Sequence, residues 1–189
     1  MSDRLYLSCW LRDTAADNVL AQFGRMLELF PFSKLAKRGP HLRVYAIDLT
    51  EPPAAEHEFL PGAEPAAILE IAREAAHDDS AVLLETFWDL WQLEEDWQLT
   101  PASVTLCCFG PAFDNDSSDQ VRIDFGLDAK FLPSKGDGAR MAQDNVRSLL
   151  RLARDVDVAL ELSKQQLWSE SGESFAEVLK NAIHSLEVH

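Results

Sequence analysis

The sequence predicts an α+β protein made of two abutting α/β units. Alternating or two-sided apolar runs typical of strands recur along the chain, amphipathic helical segments separate them, and Gly and Pro turns divide them. Residues 1–99 predict a β-α-β-β-α-β unit, the ferredoxin-like order, taken as a fold pattern and not as a family. Residues 100–189 predict β-β-α-β-α with a mostly antiparallel sheet. The units are either packed domains or parts of one composite domain.

The first unit begins with a strand over residues 4–11, which has two apolar faces, as is typical of a central strand. Thr14 and Asp17 have the spacing of a capping box, and the helix that they open ends before Pro31. Three elements follow between turns: a strand over residues 41–49, a short strand around residues 58–60 and a helix from Pro65.

Residues 81–99 fit two patterns, because their apolar residues suit either a helix or a strand. A strand is favoured, since the preceding helix ends only a few residues earlier and the segment is rich in β-forming residues. The β-α-β-β-α-β order depends on this choice.

The second unit has the clearer pattern. Residues 104–109 form a strand with two apolar faces, and Val121–Phe131 alternate apolar and polar residues, so the two predict a hairpin. A helix follows, and Val156–Leu162 again alternate as in a half-buried strand. Ser174 and Glu177 have capping-box spacing before the last helix.

The charge is unevenly distributed. The net charge is −15, and from Asp48 to Asp96 there are fourteen acidic residues and one base, Arg73. Residues 30–47 carry four bases and no acid. This balance argues against nucleic-acid partners and anionic membranes, both of which require a basic surface. It favours a protein partner with a basic surface, or self-association as a homodimer in which basic and acidic stretches meet.

The cysteines and the N-terminus indicate a soluble cytoplasmic protein. Cys9, Cys107 and Cys108 are odd in number and two are adjacent, so reduced, buried thiols are expected. The chain shows neither a signal peptide nor an apolar run long enough to span a membrane.

Three motifs are each better explained by structure than by chemistry. Asp114–Asp119 resembles the start of a calcium loop but lacks the glycine and glutamate of an EF-hand, so we expect no tight calcium binding. His57 between Glu56 and Glu58 suggests a metal or proton-transfer site, yet on a strand it faces away from both. Cys107–Cys108 lack a neighbouring base. No cofactor, metal or catalytic residue is therefore assigned.

A tryptophan-rich acidic stretch is the strongest functional signal. Its members are Trp88, Trp91, Trp97, Glu94, Glu95 and Asp96. Tryptophan often anchors protein interfaces and charge guides the approach of a partner, although the same pattern arises when a strand packs its tryptophans inward. The favoured function is a non-enzymatic interaction or regulatory module, similar in kind to an immunity protein or antitoxin. The alternative is a small-molecule-binding enzyme whose carboxylates and histidine meet only in the fold.

Overall fold

The computed structural model describes residues 3–132, 136 and 138–187, with the backbone alone for residues 182–187. The protein is α+β, with one seven-stranded antiparallel sheet and four α-helices in this part of the chain. The elements in chain order are β1 (Arg4–Leu11), α1 (Ala16–Leu29), β2 (His41–Ala46), β3 (Ala55–Glu58), α2 (Pro65–Ala75), β4 (Ser80–Leu93), β5 (Trp97–Phe109), β6 (Val121–Leu127), a 3-10 turn (Asp128–Phe131), α3 (Gly138–Ala159), β7 (Leu162–Ser169) and α4 (Phe175–Glu187).

The strands lie in the order β3-β2-β4-β5-β6-β1-β7. Residues 4–93 do follow the predicted β-α-β-β-α-β order along the chain, and the segment that fitted either pattern is a strand. The ferredoxin-like arrangement is not confirmed, because β1 pairs with β6 and β7 and with no strand of its own predicted unit. Short connections favour the β4–β5 and β5–β6 pairings, since closing a short loop costs little entropy. Strands from both halves thus share one sheet.

One face of the sheet carries the main core. Leu5, Leu7 and Cys9 of β1 alternate into it, and every helix contributes apolar residues to the same cluster. The helical contributors include Phe23 of α1, Ile68 of α2, Leu149 of α3 and Phe175 of α4. A smaller cluster lies on the opposite face, where Phe113 packs against Phe109, Cys107 and Ala81.

The predicted strand at Val156–Leu162 is wrong over most of its length. Helix α3 continues to Ala159, and β7 begins only at Leu162. Leu149, Leu152 and Val156 are buried at helical spacing, while Val158 faces solvent. The alternation that predicted a strand is therefore the end of an amphipathic helix.

The second predicted strand of this half is also shorter than expected. Residues 121–127 form β6, but the alternation breaks at Gly126, whose φ of +72° is costly for any other residue. The following four residues turn as a 3-10 helix that buries Phe131.

The two capping boxes have opposite outcomes. At α4 the box is confirmed, because Glu177 N donates to Ser174 Oγ and Ser174 N donates to Glu177 Oε2. At α1 it is wrong: the N-cap is Ala15, which has no capping side chain. The Asp13 carboxylate instead accepts the backbone N–H of Ala15.

Among the described helices, none combines the length and apolar content required to cross a membrane.

Candidate functional site

Strands β4 and β5 form a hairpin that extends past the rest of the sheet. They pair from Ala81–Phe109 to Leu93–Trp97, whereas β2 follows β4 only to Glu85 and β6 follows β5 only from Thr105. Residues 86–104 are therefore a two-stranded arm, about 26 Å long at the usual rise of a strand. An isolated hairpin is only marginally stable in water, so the arm needs support from other elements.

Helix α3 supplies part of that support through Asn145, which is buried. Its Oδ1 accepts the N–H of Trp91 at 2.9 Å, and its Nδ2 donates to the carbonyl oxygens of Trp91 at 2.8 Å and Lys130 at 2.7 Å. These bonds satisfy the backbone groups of Trp91 on the edge of β4 that faces away from β5, where no strand pairs with β4 at this level.

Trp88 gives the arm an apolar base. Its side chain is only 5% exposed, and its ring centroid lies 5.9 Å from those of Phe30 and Phe125. Trp88 belongs to the interaction surface that the sequence predicts, but the structure places it in the core. It is therefore not available to a partner.

Trp91 and Trp97 lie near the end of the arm, and each is partly exposed. The register pairs Trp91 with Leu99 and Trp97 with Leu93. The two leucines are exposed by 43% and 60% respectively. Sequence reasoning missed both, although the cross-strand register would have identified them once the hairpin was recognised.

Glu94, Glu95 and Asp96 form the turn between the two strands, and all three are exposed. Among the described residues, no cation forms an ion pair with them. Trp91, Leu93, Trp97 and Leu99 thus lie beside three carboxylates that form no ion pair with the described part of the chain. These seven residues are called the hairpin tip.

A second candidate is a cleft of about 830 Å³ between the start of α1 and the end of α2. Asp17, Arg73 and His77 lie at its rim, together with Asp78 and Asp79. Its floor is apolar and consists of Val19, Leu20, Val82 and Cys108. Burial raises the pKa of the Cys108 thiol far above its ordinary value, so this sulfur stays protonated at neutral pH.

The loop that resembles a calcium site has its buried carboxylate already paired. The Asp119 side chain accepts bonds from Arg122 Nε at 2.7 Å and from Arg122 Nη2 at 2.5 Å. Asn115 Nδ2 also donates to it at 2.7 Å. An internal cation thus occupies the position where calcium charge would be needed.

The Glu56-His57-Glu58 motif is not assembled as a site. Glu56 lies 3.0 Å from His41 and 3.8 Å from Arg43, while the His57 ring packs on Phe59. The adjacent cysteines point to opposite faces, as expected, and all three thiols are free and buried. Within the described ranges, no group of three or more His, Cys, Asp or Glu residues is arranged to hold a metal ion.

Comparison with known proteins finds no matching family model, no matching curated protein and no matching solved structure.

Proposed function

We propose that the protein is a non-enzymatic interaction module whose hairpin tip binds a partner protein with a basic surface. One observation carries the proposal: exposed leucines and partly exposed tryptophans lie beside three carboxylates that no described residue neutralises. Large aromatic residues supply most of the binding energy at interfaces, while charge guides the approach of the partner.

The arm presents the tip in a fixed position. Asn145 holds the backbone of Trp91, and Trp88 anchors the strand in the core six positions before the turn begins at Glu94. A surface held in its bound geometry loses less conformational entropy on binding than a flexible loop does. This support favours a binding role for the arm over that of an unconstrained connection.

The overall charge supports a basic effector as the target. A net charge of −15 creates a negative field that accelerates encounter with a cationic protein. An inhibitor of the immunity or antitoxin kind would use such a surface. The three free buried thiols are compatible with action in a reducing compartment such as the cytoplasm.

The experiment is capture of partners from extract of the native cell at low salt. Immobilised wild type is compared with a tip-reversed variant carrying Glu94→Lys, Glu95→Lys and Asp96→Lys. The matched control carries Glu51→Lys, Glu70→Lys and Glu74→Lys, which changes the net charge equally at exposed positions elsewhere.

We expect a defined partner on the wild type and on the control, and at least about tenfold less on the tip-reversed variant, because like charges then face each other. Leu93→Asp should weaken capture as well, since it removes apolar contact without reversing the tip. Equal capture by all variants would contradict the proposal.

The cleft supports a second candidate function, the binding of a small polar molecule. Both charge signs lie at its rim above an apolar floor, a combination common in ligand pockets. A thermal-shift screen with zwitterionic metabolites tests it. A shift that disappears in Arg73→Ala but persists in the tip-reversed variant supports the cleft, and no shift across the panel counts against it.

A further inference from the structure

A basic segment lies beside the arm. Lys34, Lys37 and Arg38 are exposed, and no carboxylate of the described residues forms an ion pair with them. Leu35 lies among these cations and is 50% exposed. The segment Lys34–Arg38 therefore combines an exposed leucine with positive charge that no described residue pairs, and the hairpin tip combines exposed leucines with negative charge that no described residue pairs.

The segment is fixed to the edge of β4 that pairs with no strand beyond Glu85. Ser33 N donates to the carbonyl oxygen of Phe87 at 2.8 Å, and Lys34 N donates to Asp89 Oδ2 at 2.8 Å. Ser33 Oγ also bonds the Asp89 carboxylate. From there the chain runs to His41, which pairs with Glu85, so the segment leads away from the tip.

The basic segment and the tip of one chain cannot neutralise each other in this arrangement. Asp89 and Glu94 are five residues apart on an extended strand, a distance of about 16 Å. The cations after Lys34 lie farther still, because the segment runs towards the level of Glu85. Two complementary charged surfaces are thus displaced along the length of one arm.

A two-fold axis perpendicular to the arm would bring them together. In a two-fold symmetric dimer, both copies use the same surface for the contact. An axis at the level of Trp91, midway between Asp89 and Leu93, places each basic segment on the tip of the other copy. Three cations would then face three carboxylates, and Leu35 would lie near Leu93.

We propose that a second copy of this chain docks on the arm in this antiparallel manner, with the basic segment of each copy on the hairpin tip of the other. This inference rests on the proposed function, because both use the tip. Backbone strand addition is not involved, since Ser33 and Asn145 already occupy groups of this side of β4 at Phe87 and Trp91.

Salt sets the strength of this contact. The groups are exposed, and at physiological ionic strength charges farther apart than about 8 Å are largely screened. We therefore expect a dimer at low salt whose dissociation constant rises at least about tenfold between 50 and 500 mM NaCl, with a smaller apolar share that persists.

Sedimentation velocity over a range of protein concentrations tests the inference with two charge-reversed variants. One is the tip-reversed variant, and the other, segment-reversed, carries Lys34→Glu, Lys37→Glu and Arg38→Glu. Each alone should be monomeric, because its tip and segment then have the same sign. Mixed in equal amounts they should form a heterodimer, since each contact again joins opposite charges.

A wild type that stays monomeric at low salt and high concentration overturns the inference. So does self-association of either reversed variant, or failure of the mixture to associate while both variants give wild-type circular dichroism and melting. The extract experiment reports separately on the proposed function. Tip-dependent capture by a monomeric wild type would uphold that function and reject only the second copy as partner.

Discussion

Asp128 is only 3% exposed, yet its Oδ1 accepts no hydrogen bond from the described residues. Burial, followed by the nearby charge of Asp3, raises the pKa of Asp128. The folded state therefore binds this proton more tightly than the unfolded chain does. Its contribution to stability is greatest at low pH and is lost as the pH rises from the unfolded value through the folded one.

Replacing Asp128 by Asn should raise the free energy of unfolding at pH 7 by about 1 kcal/mol, because the charge no longer has to be buried. The gain should shrink at pH 4, because a larger fraction of the wild-type carboxyl is protonated there than at pH 7 when its pKa is raised. Urea denaturation at the two pH values measures both effects, and Asp157→Asn is the exposed control. A variant less stable than wild type at pH 7 would contradict this prediction.

Arg122 is held by a carboxylate that has no exposure of its own, that of Asp119. Its guanidinium also lies 5.1 Å from the ring centroid of Phe109 and 5.9 Å from that of Tyr6. Arg122→Met should cost about 3 kcal/mol of unfolding free energy, since it leaves a buried charge unpaired.

The control for this change is Arg4→Met, which breaks the more exposed pair with Asp124 and should cost less than about 1 kcal/mol. Chemical denaturation of the two variants compares them. Similar losses of unfolding free energy in the two variants would show that the burial of Asp119 does not determine the cost of removing Arg122.

Two tryptophans show which features of a strand its sequence pattern cannot predict. Trp88 and Trp91 lie three positions apart on one strand, so alternation places them on opposite faces. Alternation does not reveal which face the helices cover. Only the packing of Phe30 and Phe125 on Trp88 decides that this tryptophan is core and that Trp91 remains near the surface.

At the level of elements, α3 and the arm depend on each other. Asn145→Ala would leave the N–H and carbonyl of Trp91, and the carbonyl of Lys130, without their side-chain partner. We expect a loss of about 2 kcal/mol in unfolding free energy and faster hydrogen exchange at the Trp91 amide. Gln98→Ala, at an exposed position on the same arm, is the control.

An unchanged exchange rate at Trp91 in the Asn145 variant would show that α3 does not hold the arm. In that case the tip would be a mobile surface, and the argument from preorganisation would fail.

The elements differ in how well local patterns predict them. The long helical stripe of α1 and the confirmed box of α4 depend on neighbours in sequence, so both were predictable. The end of α3 was not, because Val156, Val158 and Leu160 alternate over too few residues to separate a strand from a helix end. There the burial of Val156 against the sheet favours the helix.

At the scale of the whole molecule, the α+β class was predictable and the strand order was not. Alternation shows that each strand has a buried face, but it does not show which strands are neighbours in the sheet. The position of β1 between β6 and β7 depends on pairings between the two ends of the chain, such as Leu5 with Ser169. The hairpin tip was partly predictable. Its three acids and two tryptophans are close together in the sequence, but their exposure depends on how far β2 and β6 extend along β4 and β5.

The position of β1 has a consequence for synthesis of the protein. As the nascent chain leaves the ribosome, β1 emerges before the other described elements, yet both of its neighbours belong to the second half of the sequence. Its apolar residues Leu5, Leu7 and Cys9 must therefore wait, unpaired, while more than a hundred further residues are translated. A strand left in this condition is a natural binding site for a chaperone. The sheet is accordingly completed late, when this early strand inserts between two strands that are translated after it.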